Sequence, residues 1–536
     1  MRLKRCIALL LVLVAVVGTA FGETVQIPMR DGVKLAADYY LPAEGGPAFP
    51  VVVARSVYGR GAGKQLAPNY TKAGIVFVVE DTRGRGDSEG GKDMVFLDDG
   101  WGEHQDGLDT VNWIRQQPWC NGKVGSWGGS ALGITQVRMA AAGADVQAQS
   151  ILVAASDFYQ QLSYQGGVFH KQLVEKWVTG QKSPHVIDLW KSHPAYDDFW
   201  KAFNAEPRAP QVTAPGLHVG GWFDIFGQGT INNFTTRQHN GGKGAKGNQM
   251  LVMGPWTHGL GPKIGDVTMK PNSGFTIGEY ERRFFEHWLL GKDNGIGTEP
   301  AVHYYTVGAC DEEGAPGNEW RTADDWPPFE TKETAYLLGA DGSLGTDAAK
   351  VKEGQLGYAY DPKNPCPTLG GANLFPDNGI GPIDQRKLGE RADVLKFATT
   401  PLDAPVEITG QVKVRLYVST DAPDTDFTAK LVDIYPDGRE LMMLDGIQRL
   451  KFRKGYEKAE PLAAGEVGEV EIDLWSISLI VNKGHRIGVQ VSSSNYPRFE
   501  LNPNTGTDFP ATETRVAKNT IYAGGNHPSA LLLPVR

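Results

Sequence analysis

The sequence predicts an α/β domain on a mostly parallel sheet, interrupted by a helical insert and followed by an all-β domain. Three observations carry this. Short apolar runs alternate with helix-length stretches through roughly the first 300 residues. That rhythm breaks over about 157–212, and beyond about 301 apolar and polar residues alternate one by one. Strands buried on both faces read as the first pattern, half-buried antiparallel strands as the last.

Val25–Met29 and Val33–Leu41 flank an Arg-Asp-Gly turn and predict an antiparallel hairpin. Val51–Arg55 and Ile75–Glu80 predict buried parallel strands separated by a helix. Glu103–Gln117 places Leu108, Val111 and Ile114 on one face, and the acids near its start suit the helix dipole. A strand through Val124 leads to the small-residue helix after Ser130, and Val146–Ala155 is the next strand. The alternation resumes with Gly216–Phe223, Ile225–His239, Met250–Met253 and Gly278–Leu290. The insert between the halves is rich in aromatics, including Trp177, Trp190 and Trp200. Most of these should pack as core, with an apolar underside left for a ligand. In the last third Val412, Val414, Leu416 and Val418 alternate with polar residues, as do Val470, Ile472 and Leu474, and then Ile487, Val489 and Val491. This predicts a sandwich of jelly-roll type.

The start of the chain is read separately. A basic Met1–Arg5, an apolar run over Cys6–Val17 and small residues around Gly22 predict a secretory signal cleaved near Gly22, hence a secreted or periplasmic protein. The expected organisation is therefore signal 1–22, α/β domain 23–156 and 213–300, helical cap 157–212, and β domain 301–536. Removing the signal takes away Arg2, Lys4 and Arg5 and no acid, so the net charge of −9 becomes −12. An acidic chain without a basic cluster is a poor partner for nucleic acid or anionic membranes. No later segment approaches 18 apolar residues, so no membrane association is expected after cleavage. Of the four cysteines, Cys6 falls in the signal. Cys120, Cys310 and Cys366 are too few for a disulfide scaffold, although Cys310 and Cys366 could pair or remain two thiols.

The chemistry centres on "VGSWGGSALGITQ", 124–136. Ser130 stands among glycines between a strand and a helix, where a nucleophile elbow would stand, but Gly133 comes one place later than G-x-S-x-G asks. Acyl transfer by serine needs a base, an acid to orient it and donors for the oxyanion. Asp224 follows the strand "GLHVGGWF" and His258 follows "MLVMGPW", which gives the chain order serine, aspartate, histidine of α/β-hydrolase triads. Taken singly, Asp224 reads as a helix N-cap and His258 as a loop histidine; together they occupy the three slots a triad requires. His104, His185, His193 and His218 show no metal spacing, and no glycine loop carries a phosphate-binding lysine. Arg83, Arg85, Asp87 and Glu89 read as loop braces. No cofactor is expected.

These residues resemble the cocaine esterase and X-Pro dipeptidyl-peptidase family, which includes glutaryl acylases and α-amino acid ester hydrolases. The family's elbow is G-x-S-Y-x-G, matched by Gly128, Ser130 and Gly133, and "GWFD" (221–224) and "GPWTH" (254–258) look like its acid and base segments. "EDTRGRGDSEG", "VNWIRQQPWCNGKVG", "HPAYDDFW" and "TDFTAKLVDIYPDG" extend the likeness over nearly the whole mature chain. The resemblance implies an α/β hydrolase with an inserted helical cap and a C-terminal jelly-roll (galactose-binding-like) domain. It implies Ser130, Asp224 and His258 as triad, the Ala131 N–H as one oxyanion donor and the Tyr58 hydroxyl as the other. Ala131 departs from the family's tyrosine, though alanine supplies the N–H as well as tyrosine does. The α-amino acid ester hydrolases hold an ammonium with acids two and three places after the triad aspartate. Here those places are Phe226 and Gly227, so neutral acyl esters are expected as better substrates unless cap acids such as Asp157 or Glu175 take their place. The expected activity is serine hydrolysis of small-molecule esters or amides through an acyl-enzyme. An X-Pro dipeptidyl-peptidase-type aminopeptidase is the alternative. A carbohydrate- or surface-binding protein with an inactive hydrolase domain is the reading from another class.

Overall fold

The structure is a computed structural model that describes residues 22–91, 95–508 and 512–536. The expected signal therefore lies, but for Gly22, outside the described residues, as does Cys6. Ten strands form the central sheet: β1 (Gly22–Pro28), β2 (Lys34–Tyr40), β3 (Phe49–Ser56), β4 (Val76–Asp81), β5 (Cys120–Gly129), β6 (Ala148–Leu152), β7 (Gly216–Gly221), β8 (Gln249–Gly254), β9 (Val302–Thr306) and β10 (Glu319–Ala323). Their spatial order is β1-β2-β4-β3-β5-β6-β7-β8-β9-β10. From β4 to β9 all neighbours are parallel. The hairpin β1–β2 and strand β10 close the two edges antiparallel. The sheet thus runs on past residue 300, where the sequence pattern changes.

Alternate side chains of one strand serve opposite faces, because the pleat turns successive residues to opposite sides. Val51 and Val53 of β3 pack with Val111 and Ile114 of the helix Asp106–Arg115 and with Met139 of the helix Ala131–Ala141. Val52 and Ala54 pack on the other face with Phe284, Phe285 and Leu289 of the helix Ile277–Leu290. Two covered faces explain the unbroken apolar runs.

The insert begins with a π-helical turn, Tyr159–Ser163, and a short hairpin pairing Tyr164–Gln165 with Val168–Phe169. Helices Lys171–Gly180, His185–Lys191 and Asp198–Lys201 follow. Tyr159, Tyr164, Trp190 and Trp200 are fully buried in its core. The C-terminal part is rich in antiparallel strands. The pair Val406–Thr420 and Gly468–Val481 belongs to one sheet, and Leu395–Ala398, Arg486–Ser492, Asp426–Ile434 and Glu440–Arg449 form a second. Val412, Val414, Leu416 and Val418 share one apolar core with Phe427, Leu431, Val489 and Val491 of the second sheet. The insert is seated on this part of the chain. Arg449 N–H donates to the Gly166 carbonyl (2.8 Å) and Glu500 N–H to that of Phe169 (2.9 Å). At Gly166, with φ +57°, a Cβ would lie 1.8 Å from the Ile447 carbonyl oxygen, so only glycine fits. Cys120, Cys310 and Cys366 are free thiols, so of the two states open to Cys310 and Cys366 the unpaired one is found.

Candidate active site

Ser130 is the only residue between β5 and the helix Ala131–Ala141, and so sharp a turn forces its backbone to φ +55°, ψ −123°. Such a conformation costs a non-glycine residue about 1–3 kcal/mol and persists only where its surroundings hold it. Ser130 N–H donates to the Leu152 carbonyl on β6, and its own carbonyl accepts from Gly133 and Ile134, each at 2.9 Å. Gln136, one turn into the helix, donates to the carbonyls of Gly128 and Ser150 (3.0 Å each) and accepts from the Ser126 hydroxyl (2.6 Å). The elbow is thus stitched to two strands. The late glycine also finds its reason here. A Cβ on Gly133 would come within 2.7 Å of the Ala154 side chain, so the helix lies closest to the strand end at that position.

Ala131, the first residue of the helix, is buried. Its N–H has no acceptor inside the helix and sits at the positive end of the helix dipole.

Asp224 and His258 stand on the turns that leave β7 and β8. These turns continue the strand pairing by backbone bonds: Trp222 N–H donates to the Gly254 carbonyl and Phe223 N–H to that of Trp256, each at 3.0 Å. The two side chains therefore meet by construction. His258 Nδ1 lies 2.7 Å from Asp224 Oδ1, and His258 Nε2 lies 2.9 Å from Ser130 Oγ. Asp224 is fully buried. It does not cap the helix Gly227–Asn240, whose N-cap is Phe226. The edge of Phe226 meets the His258 ring, centroids 5.7 Å apart.

Tyr58 follows β3, and its hydroxyl lies near Ser130. Its ring is half-exposed, at 53%. Burial of the hydroxyl raises the phenol's pKa, against the polar contacts with Trp177 and Ser130, which lower it. The Trp177 indole N–H donates to the Tyr58 oxygen at 3.1 Å, and its ring stacks on Phe96 with centroids 5.6 Å apart. Sequence reasoning placed Trp177 among packing aromatics and missed this bond, which joins residues 119 positions apart. Around Ser130 the pocket is lined by Phe96, Leu162, Trp177, Ile225, Phe226 and Leu374 among others, and apart from the serine every lining residue is apolar. Glu175 is engaged by Lys171 and Lys191, and Asp157 lines a different cavity. Neither replaces the acids absent at Phe226 and Gly227.

The remaining polar candidates are braces. Arg83 pairs with Asp106 and Asp31, Arg60 with Asp81 and Asp87, and Arg85 reaches the Gln181 carbonyl and the Ser183 hydroxyl in the insert. His104 contacts Asp98, His193 contacts Asp197, and buried His218 lies between Gln249 and Asn233. Among the described residues no cluster of three or more His, Cys, Asp or Glu is disposed to hold a metal ion. No helix among them is long and apolar enough to cross a membrane.

Comparison with known proteins fits this geometry. The profile of the X-Pro dipeptidyl-peptidase (S15) family matches residues 31–185 and 176–260, and that of the X-Pro dipeptidyl-peptidase C-terminal non-catalytic domain matches 294–532. Cocaine esterase of Rhodococcus sp. (strain MB1 Bresler) is 33% identical over 96% of this chain and 98% of its own. A putative serine esterase of Mycobacterium bovis is 25% identical over 95% of this chain and 94% of its own. Among solved structures, an aminopeptidase from a marine-sediment Thaumarchaeota archaeon superposes with a TM-score of 0.81 at 26% identity, covering 96% of each chain. An α-amino acid ester hydrolase shares the fold with a TM-score of 0.83 at 24% identity, covering 99% of this chain and 98% of its own. The chain belongs to the cocaine esterase and X-Pro dipeptidyl-peptidase family of α/β serine hydrolases.

Proposed function

We propose that this protein is an exported serine esterase that cleaves small neutral acyl esters through an acyl-enzyme. One observation carries the reading: the hydrogen-bonded series Asp224–His258–Ser130 opens onto a pocket whose lining, Ser130 apart, is wholly apolar. In the proposed mechanism Ser130 Oγ attacks the ester carbonyl while His258 Nε2 takes its proton. Asp224 holds the imidazole through Nδ1 and stabilises its positive charge. The oxyanion receives hydrogen bonds from the Ala131 N–H and the Tyr58 hydroxyl. His258 returns the proton to the leaving alkoxide, which departs as alcohol. A water, deprotonated in turn by His258, releases the acid and restores the serine.

The apolar lining supports ester over aminopeptidase chemistry. A substrate ammonium beside Ser130 would be desolvated without a carboxylate partner. Cocaine esterase and the mycobacterial putative serine esterase, both matched along nearly their full lengths, support it too. Export rests on the leader-like start of the sequence. The test has two parts. A fluorophosphonate probe should label Ser130 rapidly, and kcat/KM for methyl phenylacetate should exceed that for methyl phenylglycinate. Absence of labelling would return the chain to a non-catalytic reading; a clear preference for the phenylglycine ester would overturn the neutral-acyl assignment.

A further inference from the structure

The helix Ile277–Leu290 covers the face of the sheet opposite the helix that follows Ser130. It reaches the strands with one acidic side chain. Glu281 Oε1 accepts from the Trp127 indole N–H on β5 at 2.7 Å and from the Ser150 hydroxyl on β6 at 2.6 Å. Both donors are neutral. A glutamine would accept the same two bonds without desolvating a charge, and that desolvation raises the pKa of Glu281. The other oxygen, Oε2, has no partner among the described residues and yet is not closed off from solvent. It opens on a cavity of about 330 Å³ between this helix and the short helix Pro68–Thr71.

An independent observation comes from Tyr70, which is 8% exposed and lines the same cavity. Its hydroxyl also has no hydrogen-bond partner among the described residues and is not closed off from solvent, so it looks into the cavity. Burial, then the nearby charge of Glu281, holds the phenol's pKa well above its usual value. The Tyr70 ring stacks on Phe77, with centroids 4.7 Å apart, and meets Trp127 and Phe285 at 65°, with centroids 6.5 and 6.0 Å away. Trp127 and Phe285 line the cavity as well, beside Leu66, Ala73 and Ile75. Arg282 stands on its exposed side, but its guanidinium donates to Glu286 at 2.8 Å, and no lysine or histidine lines the cavity. The volume is in the usual range for small-molecule sites. No residue is shared with the lining of the Ser130 pocket.

We propose that this cavity is a second ligand site, distinct from the Ser130 pocket, and that it binds a small amine with an apolar body. The ammonium donates to Glu281 Oε2 and to the Tyr70 oxygen, the two polar atoms left open there. The rings of Tyr70 and Trp127 add their attraction for a cation. The apolar body packs against Leu66, Ala73, Ile75 and Phe285. A neutral ligand would leave the Glu281 charge uncompensated, and an anion would be repelled by it. A metal ion would need several ligating side chains, and no such set occurs among the described residues. The inference goes beyond the esterase reading and does not depend on it.

The test is calorimetric titration of the full-length protein with benzylamine, and with benzyl alcohol as its uncharged isostere. Benzylamine should saturate one site with a Kd below about 1 mM, and benzyl alcohol should bind about tenfold more weakly. Glu281→Gln retains an acceptor for Trp127 and Ser150 and should weaken benzylamine about tenfold. Tyr70→Phe retains the ring stacked on Phe77 and should weaken it about threefold. Absence of saturation, equal binding of benzyl alcohol, or unchanged affinity in Tyr70→Phe or in a folded Glu281→Gln would each overturn the proposal. Benzylamine binding should also survive fluorophosphonate treatment, and its loss would place the amine in the Ser130 pocket and overturn the second site. Failure of the probe to label Ser130 would count against the esterase reading alone, since the untreated titrations decide this one without it.

Discussion

Two groups of residues of very different build approach Ser130. On one side stand Ala131, Asp224 and His258, carried on strand ends and a helix start whose positions are set by backbone hydrogen bonds. On the other stands Tyr58, half-exposed, whose hydroxyl is held by one indole N–H from the insert. The first group has the rigidity of the sheet. The second depends on how the insert is seated. On the proposed mechanism, proton transfer belongs to the core, whereas the strength of the oxyanion site is set by the insert.

The contrast predicts a graded series of losses. Ser130→Ala should lower kcat by at least about 10⁴-fold with an unchanged melting temperature, and His258→Ala should match it because triad members act as a unit. Retention of a tenth of wild-type turnover in either variant would remove the core from the chemistry. Tyr58→Phe should cost about 10²–10³ in kcat with little change in KM, the usual size of one lost oxyanion donor. A loss under threefold would make Tyr58 a packing residue.

Trp177→Phe keeps most of the stacking surface on Phe96 and removes only the N–H. A loss of about tenfold in kcat is expected in the wild-type background and none beyond that of Tyr58→Phe in the double variant. Additive losses would mean that Trp177 acts through the pocket wall and not through the phenol.

The smallest effect concerns the core and pH. Burial, aided by the nearby Arg237 charge, lowers the pKa of His218 to about 3. The unfolded chain takes up that proton near 6.5 and the folded chain only near 3. The stabilisation is therefore complete above about 6.5 and is lost as pH falls toward 3. His218→Gln should flatten the acid limb of unfolding free energy against pH by about 1 kcal/mol per unit. Equal slopes in the two proteins would exclude His218 from acid sensitivity.

The same division governs what could be read from sequence. The runs that became β3 to β8 were legible because both faces of a parallel sheet are covered, and the order of Ser130, Asp224 and His258 followed from strand ends. β9 and β10 were not legible as sheet members. "VHYYT" and "EWRTA" are short and half polar, and only the pairing of β9 with β8 and of β10 with β9 assigns them. The Trp177–Tyr58 bond and the Gln136 stitch were invisible because each depends on which distant backbone a side chain meets. Gly166 gave no sign that it was a seat for Ile447, since a glycine in a loop has many reasons to be there.

That seat has a consequence for the order in which the protein can be made. Leu374, a wall of the Ser130 pocket, and the segments that receive Gly166 and Phe169 are translated long after the triad segments. A growing chain that has passed His258 holds the three reacting side chains but not the surface against which the insert closes. The ribosome must complete the C-terminal strands before the pocket has a finished wall. Hydrolytic competence should therefore arrive late and all at once in synthesis, and a protein stalled midway would carry its serine without the enclosure that makes it an enzyme.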